Sequence, residues 1–283
     1  MIGVSPAYFI SRFGKSFGPT QIAAGLPFLA EAGFDGFQAE AFMERVLPDW
    51  TPGATEALAS TAETLGLRCT AFVAHFLGGA FSSEASLADG PAEPSVRKAI
   101  SIAASFPGNR TFVLPLPAFA GNAEAARSLF ASRLRSLVAE VEAAGLELAL
   151  ELMPGNVLGG SSAFSALCAG TVPSFERLRL LFDTGHFWAM GEPVAALPEL
   201  LGGRIVATHL CDNDGVENLS LCPGDGTIPF AETAAALRKT RYPGSYDVEI
   251  ICPRDRVSHE YGRAVALIKS MEKGTYSDRQ QGT

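Results

Sequence analysis

Four side chains able to grip a cation end, or adjoin, four successive apolar runs. LELALE closes on Glu151, RLRLLFD on Asp183, RIVATH on His209 and YDVE on Glu249. A charge beside a buried run is costly to desolvate unless it is paired or bound to a metal. Taken one at a time, each acid also reads as an ion pair at a strand end, and His209 as a hydrogen-bonded core imidazole. Four in succession read as one centre. Three carboxylates and one imidazole make an oxygen-rich set with a single nitrogen, which suits Mn2+, Mg2+, Co2+ or Zn2+ and leaves positions open for substrate. The expectation is therefore one divalent metal ion, without a choice among those four.

The elements that must hold this set are legible as short apolar runs at 2–5, 34–39, 68–74, 110–115, 147–151, 178–182, 204–210 and 245–251, the signature of strands buried on both faces. Amphipathic stretches lie between them. The clearest is 122–144, with Asn122 as N-cap, Phe130, Leu134, Leu137, Val138 and Val141 on one face, and Gly145 as the stop. Residues 53–65 and 257–271 show the same spacing, while Pro27 falls inside 19–32 and is expected to split it into two pieces. Strand starts recur about every 26 to 42 residues, the span of one strand, one helix and two loops. Strict alternation implies a parallel sheet, and eight units favour a closed (β/α)8 TIM barrel over an open doubly wound sheet. The first strand is followed by SPAYFISRFG, with no GxGxxG turn for a dinucleotide. Residues 1–273 are read as one barrel domain and 274–283, GTYSDRQQGT, as a polar tail. In such a barrel the C-terminal loops face one shared pocket, so all four residues would meet there.

Composition narrows the partner. At 283 residues and 47% hydrophobic the chain can bury a large core, and its formal charge of -8 offers no basic footprint for nucleic acid, so a small molecule is expected instead. Cys69, Cys168, Cys211, Cys222 and Cys252 are odd in number and form no CxxC pair, which reads as reduced thiols and a cytoplasmic setting. No leader pattern or bilayer-length apolar run is apparent, so export and membrane insertion are not expected.

On these residues the sequence resembles the xylose isomerase-like barrel superfamily, which includes sugar phosphate isomerases/epimerases and the class II AP endonuclease group. The resemblance is carried by ELALELMPG around Glu151, LLFDTGHFWAMGEP around Asp183 and His186, VATHLCDNDG around His209, the glycine turn CPGDGTIPF, and YDVEI around Glu249; GFDGFQAE of the second strand looks similar. It implies Glu151, Asp183, His209 and Glu249 as metal ligands. It also implies Glu151 and Glu249 as the pair that removes and returns a proton beside a carbonyl, through a metal-stabilised enediolate, and His186 as a substrate-facing group. His75 and Asn213, with Asp212 as an alternative to the latter, are further candidates for substrate contact. Segment 75–93 reads either as a lid that excludes water or as an idle surface loop. A homo-oligomer is compatible with the resemblance, and no sequence feature sets its state.

The departures from the superfamily narrow the reaction. A three-metal nuclease would need more histidines than the four present. Asn218 and Ser220 stand where that subgroup has Asp and His, and strand four ends in Leu114 and Pro115 without a histidine. The ketose 3-epimerase pattern after the fifth strand is replaced by ELMPGNV, and Gly215 stands where an Arg is expected. The expectation is a metal-dependent isomerase or epimerase of a small keto sugar or cyclitol. The alternative is a lyase, similar to inosose or dehydroshikimate dehydratase, on the same scaffold. A non-catalytic sugar-binding barrel and an AP endonuclease rank lower.

Overall fold

The computed structural model describes residues 1–273, and the tail expected at 274–283 lies outside the described residues. Eight strands, β1 (Ile2–Val4), β2 (Gly36–Glu40), β3 (Arg68–Val73), β4 (Thr111–Leu116), β5 (Glu147–Leu152), β6 (Arg179–Asp183), β7 (Ile205–His209) and β8 (Tyr246–Val248), alternate with helices. They pair in the order β7-β6-β5-β4-β3-β2-β1-β8. The seam closes where Leu210 N–H donates to the Asp247 carbonyl at 2.8 Å and Glu249 N–H to the Leu210 carbonyl at 3.0 Å. The result is the expected (β/α)8 TIM barrel.

Two expected boundaries need correction. The last strand does not run from 245 to 251. Beyond Val248 the chain turns away from β1, because Ile251 N–H bonds the Ser220 carbonyl and Ile250 N–H takes the Tyr261 hydroxyl, so Glu249 stands just past the strand. Nor does Pro27 split its helix, which runs unbroken from Pro19 to Ala32. Pro27 lies on the exposed side while Ile22, Leu26 and Leu29 are buried. Burying three such side chains at roughly 1.5–3 kcal/mol each outweighs the roughly 3 kcal/mol cost of an interior proline. The helix Ala123–Ala143 follows its sequence closely, with the Asn122 side chain accepting from Glu124 N and Ala125 N at 3.0 and 3.1 Å. Segment 75–93 folds into a 3-10 turn, His75–Phe81, and a short helix, Glu84–Asp89. Leu77, Phe81 and Leu87 are buried there, and the Arg133 guanidinium clasps the Leu87 carbonyl at 2.8 Å.

Strand alternation creates two cores. The outer face of the sheet meets the helices through Phe37, Phe72, Phe112, Leu148, Leu150 and Phe182. The barrel interior is a separate, smaller cluster of Ala71, Val73, Val113, Ala149, Leu181 and Ala207. Glu151, Asp183 and His209 each follow one of these inward residues by two positions, so the pleat turns them inward one layer nearer the C-terminal mouth. On β1 the inward position is Gly3, where a Cβ would fall 2.0 Å from Asp247 Oδ1. The glycine is what lets that carboxylate lie across the barrel. No described helix is long and apolar enough to cross a membrane.

Candidate metal centre and active site

Ligand atoms of Glu151, Asp183, His209 and Glu249 all lie within 4.8 Å of one another. His209 Nδ1 is the hub, 3.0 Å from Glu151 Oε1, 3.0 Å from Glu249 Oε2 and 3.7 Å from Asp183 Oδ2. The other ring nitrogen, Nε2, sits 2.9 Å from Gln38 Oε1. Gln38 Nε2 donates to Asp247 Oδ2 at 2.8 Å, which aims the amide oxygen at the histidine. Nε2 therefore carries hydrogen, and Nδ1 is the nitrogen that faces the carboxylates and could ligate a metal in exchange for its proton. Asp183 and His209 are register partners on β6 and β7, which sets their spacing.

Each acid has one oxygen anchored or one left open. Asp183 Oδ1 caps the following helix by accepting from His186 N at 2.7 Å, while Oδ2 is buried without a hydrogen-bond partner. Glu249 Oε1 accepts from the Ser220 hydroxyl at 3.3 Å. Ser220 adopts φ 45, a left-handed conformation that costs a non-glycine residue energy and here aims the hydroxyl at the ligand. Burial alone would raise Glu151 and Asp183. The imidazoles reverse that, with His209 and then His186 lowering Glu151, and His186 and His209 lowering Asp183. Burial alone would lower His209, and Glu249 and Glu151 outweigh it to push the imidazole well above its usual value. Buried acids kept ionised around one imidazole, with an unpartnered oxygen aimed inward, fit a divalent cation.

His186 reaches this group, with Nδ1 3.5 Å from Asp183 Oδ2 and 3.7 Å from Glu151 Oε1. Its Nδ1 is buried with no hydrogen-bond partner. His75 stands on the β3 side of the mouth, stacked on Phe42 with centroids 4.1 Å apart, and burial holds it below its usual pKa. Asn213 is not brought to the group. It is fully buried, its amide donating to the Gly185 carbonyl and accepting from Gly215 N, both at 2.8 Å. Asp212 is likewise spent on the loop, accepting backbone N–H groups from Asn213, Ile228, Gly224 and Gly226. Both brace the segment that carries Ser220.

Gln38, Glu40 and Asp247 escaped the sequence reading. The available signal was alternation, since GFQAE and YDVE each place two polar side chains two positions apart in strands otherwise buried on both faces.

Among characterised relatives, the chain is 28% identical to fructoselysine 3-epimerase of Escherichia coli O157:H7 over 122 residues, 43% of this chain and 44% of that one. The curated relatives it matches are covered over less than half of their own length. The fold superposes on 3-keto-D-glucoside 4-epimerase from E. coli with TM-score 0.72 at 17% identity, covering 95% of this chain and 98% of that one. It superposes on the IOLI protein with a binding zinc atom with TM-score 0.70 at 15% identity, covering 99% of each. The model of the xylose isomerase-like TIM barrel family matches residues 26–271, and by that match, over the strands that carry all four cage residues, the chain belongs to this family.

Proposed function

We propose that the protein is a metal-dependent isomerase or epimerase of a small keto sugar or cyclitol. The observation that carries this reading is the cage itself, in which two glutamates from either side of β7 in the barrel, Glu151 from β5 and Glu249 after β8, both lie 3.0 Å from His209 Nδ1. The sugar epimerases among the relatives support it, as does the zinc of the IOLI protein. Glu151, Asp183, His209 and Glu249 would hold one divalent ion, which when bound supplies a Lewis acid for adjacent carbonyl and hydroxyl oxygens.

The chain's own residues supply the rest. One glutamate carboxylate takes the proton from the carbon next to the carbonyl, and the other returns a proton from the opposite side. Glu151, held ionised by its imidazole neighbours, suits the role of base. His186 offers its free Nδ1 to a substrate oxygen and fixes which carbon faces Glu151. Burial of the group excludes the water that would compete for the proton. A lyase would begin with the same proton removal and differ only in expelling a hydroxyl.

The test is incubation of metal-loaded protein in D2O with keto sugars, inososes and hydroxypyruvate, beside the Glu249→Gln variant, followed by NMR and mass spectrometry. The expected result is deuterium at the carbon next to the carbonyl, lost in the variant, with product mass otherwise unchanged. Product lighter by one water makes the enzyme a lyase. Tight stoichiometric metal with no exchange on any compound overturns the reading in favour of a binding protein.

A further inference from the structure

Gln38 and Glu40 alternate onto the barrel interior from β2. His209 accounts for Gln38, but none of the cage contacts uses Glu40, one layer nearer the mouth. Glu40 is 2% exposed, its Oε2 is buried with no hydrogen-bond partner, and its Oε1 lies 3.6 Å from His75 Nδ1. It stands outside the four-residue cage. Burial first, then Glu151 and Glu249, raise its carboxyl well above the usual range, against the opposing pull of His209 and Lys15. Lys15 is exposed, its ammonium 5.0 Å from the centre of the Phe42 ring. An orphan polar oxygen in so dry a place costs free energy that a ligand carrying a hydroxyl would recover.

The surroundings specify that ligand. Phe42, stacked on His75 at an interplanar angle of 16°, holds that imidazole beside the carboxyl, and the outer face of the partly exposed ring suits the C–H face of a sugar. A divalent ion would already be outnumbered by the carboxylates of Glu151, Asp183 and Glu249, so a phosphate or carboxylate brought beside Glu40 would be repelled.

We propose that Glu40 is the specificity-determining residue of this site, binding a substrate hydroxyl that the cage does not take and selecting an uncharged polyhydroxy ketone over its phosphorylated or carboxylated counterparts. This deepens the proton-transfer reading above and rests on it for the identity of the pocket as a substrate site.

The test uses metal-loaded full-length protein and calorimetry with sorbitol, sorbitol 6-phosphate and 1-amino-1-deoxysorbitol. Wild type is compared with Glu40→Ala and Glu40→Gln, each checked for metal affinity and thermal midpoint, and kcat and KM for deuterium exchange are measured on a ketose. Sorbitol should bind wild type more tightly than its phosphate. Glu40→Ala should weaken sorbitol about tenfold, the scale of one lost hydrogen bond, and raise KM with little change in kcat, while Glu40→Gln recovers most of the loss. Preference for the phosphate overturns the proposal. So does a fall in kcat at constant KM, a loss of metal affinity in Glu40→Ala, or tight amine binding that Glu40→Gln destroys. Sorbitol binding indifferent to Glu40, with exchange intact, overturns this assignment alone. Glu40-dependent sorbitol binding with no exchange on any ketose supports it and sinks the proton-transfer reading alone.

Discussion

Two sets of buried carboxylates sit one layer apart inside the same barrel and are held in opposite states. In the cage, Glu151 and Asp183 are pushed below their usual range by His209 and His186. One layer down, Asp247 is just as buried, yet burial raises it to about 6. Its partners are the Gln38 amide and the Ser245 hydroxyl, neutral donors whose lowering effect does not offset the loss of water. Both sites supply hydrogen bonds, but the imidazoles act strongly on the cage acids, whereas at Asp247 His209 and the N-terminal ammonium are the smaller influences. Glu151 and Asp183 stay ionised because imidazoles stand directly against them, while Asp247, held mainly by dipoles, drifts toward its neutral form, which is the physical reason to read the four-residue cage as a cation site and the layer of Asp247 as its support.

The largest effect that would break this contrast is expected at Asp183. Asp183→Asn keeps an oxygen to cap His186 N but replaces the unpartnered Oδ2. Divalent metal affinity, measured by calorimetry, should fall by more than about a hundredfold, since losing a mere orienting partner already costs ten- to a hundredfold. A variant that retains stoichiometric metal would remove the distinction between the two layers.

At Asp247 the expected effect is on stability, and its sign is the reverse of the usual carboxylate. A folded pKa raised from 3.8 to about 6 means that the native state holds this proton more tightly than the unfolded chain. The contribution to stability is complete below about pH 4 and is lost as pH rises through about 6, a change on the order of 3 kcal/mol. Asp247→Asn has no such proton, so the stability difference between wild type and variant, from urea unfolding of metal-free protein at pH 4 and pH 7, should shift by that order in the variant's favour at the higher pH. A difference independent of pH would mean that Asp247 stays ionised like the cage acids.

How far this contrast was legible in the sequence depends on the range of the forces involved. Glu151, Asp183, His209 and Glu249 stood out because each interrupts or ends a run buried on both faces, a local signal. The eight strands were legible for the same reason, and Asn122 because a cap is a contact within one turn. Gln38 and Asp247 meet only because β2 and β8 flank β1 in a closed barrel, across 209 positions of sequence. Asn213 was a candidate for substrate contact because it lies in the long loop after His209, but it turns its amide to the backbone of its own loop and of the β6 turn. Pro27 marked a break by local rules that burial of Ile22, Leu26 and Leu29 overrode. Glu40 had no reading of its own, because what surrounds it, His75 above all, comes from another strand's end.

The smallest expected effect tests whether the lower layer supports the upper one. Gln38 is the joint between them, passing the orientation set by Asp247 to His209 Nε2. Gln38→Leu removes the acceptor for the Nε2 hydrogen, so the ring is no longer held in the form that presents Nδ1 to the cage, and metal affinity should fall about tenfold. A purely structural contribution would be repaired by any residue that packs well and worsened by a second acid next to Asp247. Gln38→Glu separates the two, because it restores an acceptor for Nε2 while placing a carboxyl against Asp247. If Gln38 acts by orienting His209, Gln38→Glu should lower the thermal midpoint and yet bind metal more tightly than Gln38→Leu. If affinity and midpoint fall together in both variants, the amide merely packs the barrel, and the two layers are independent.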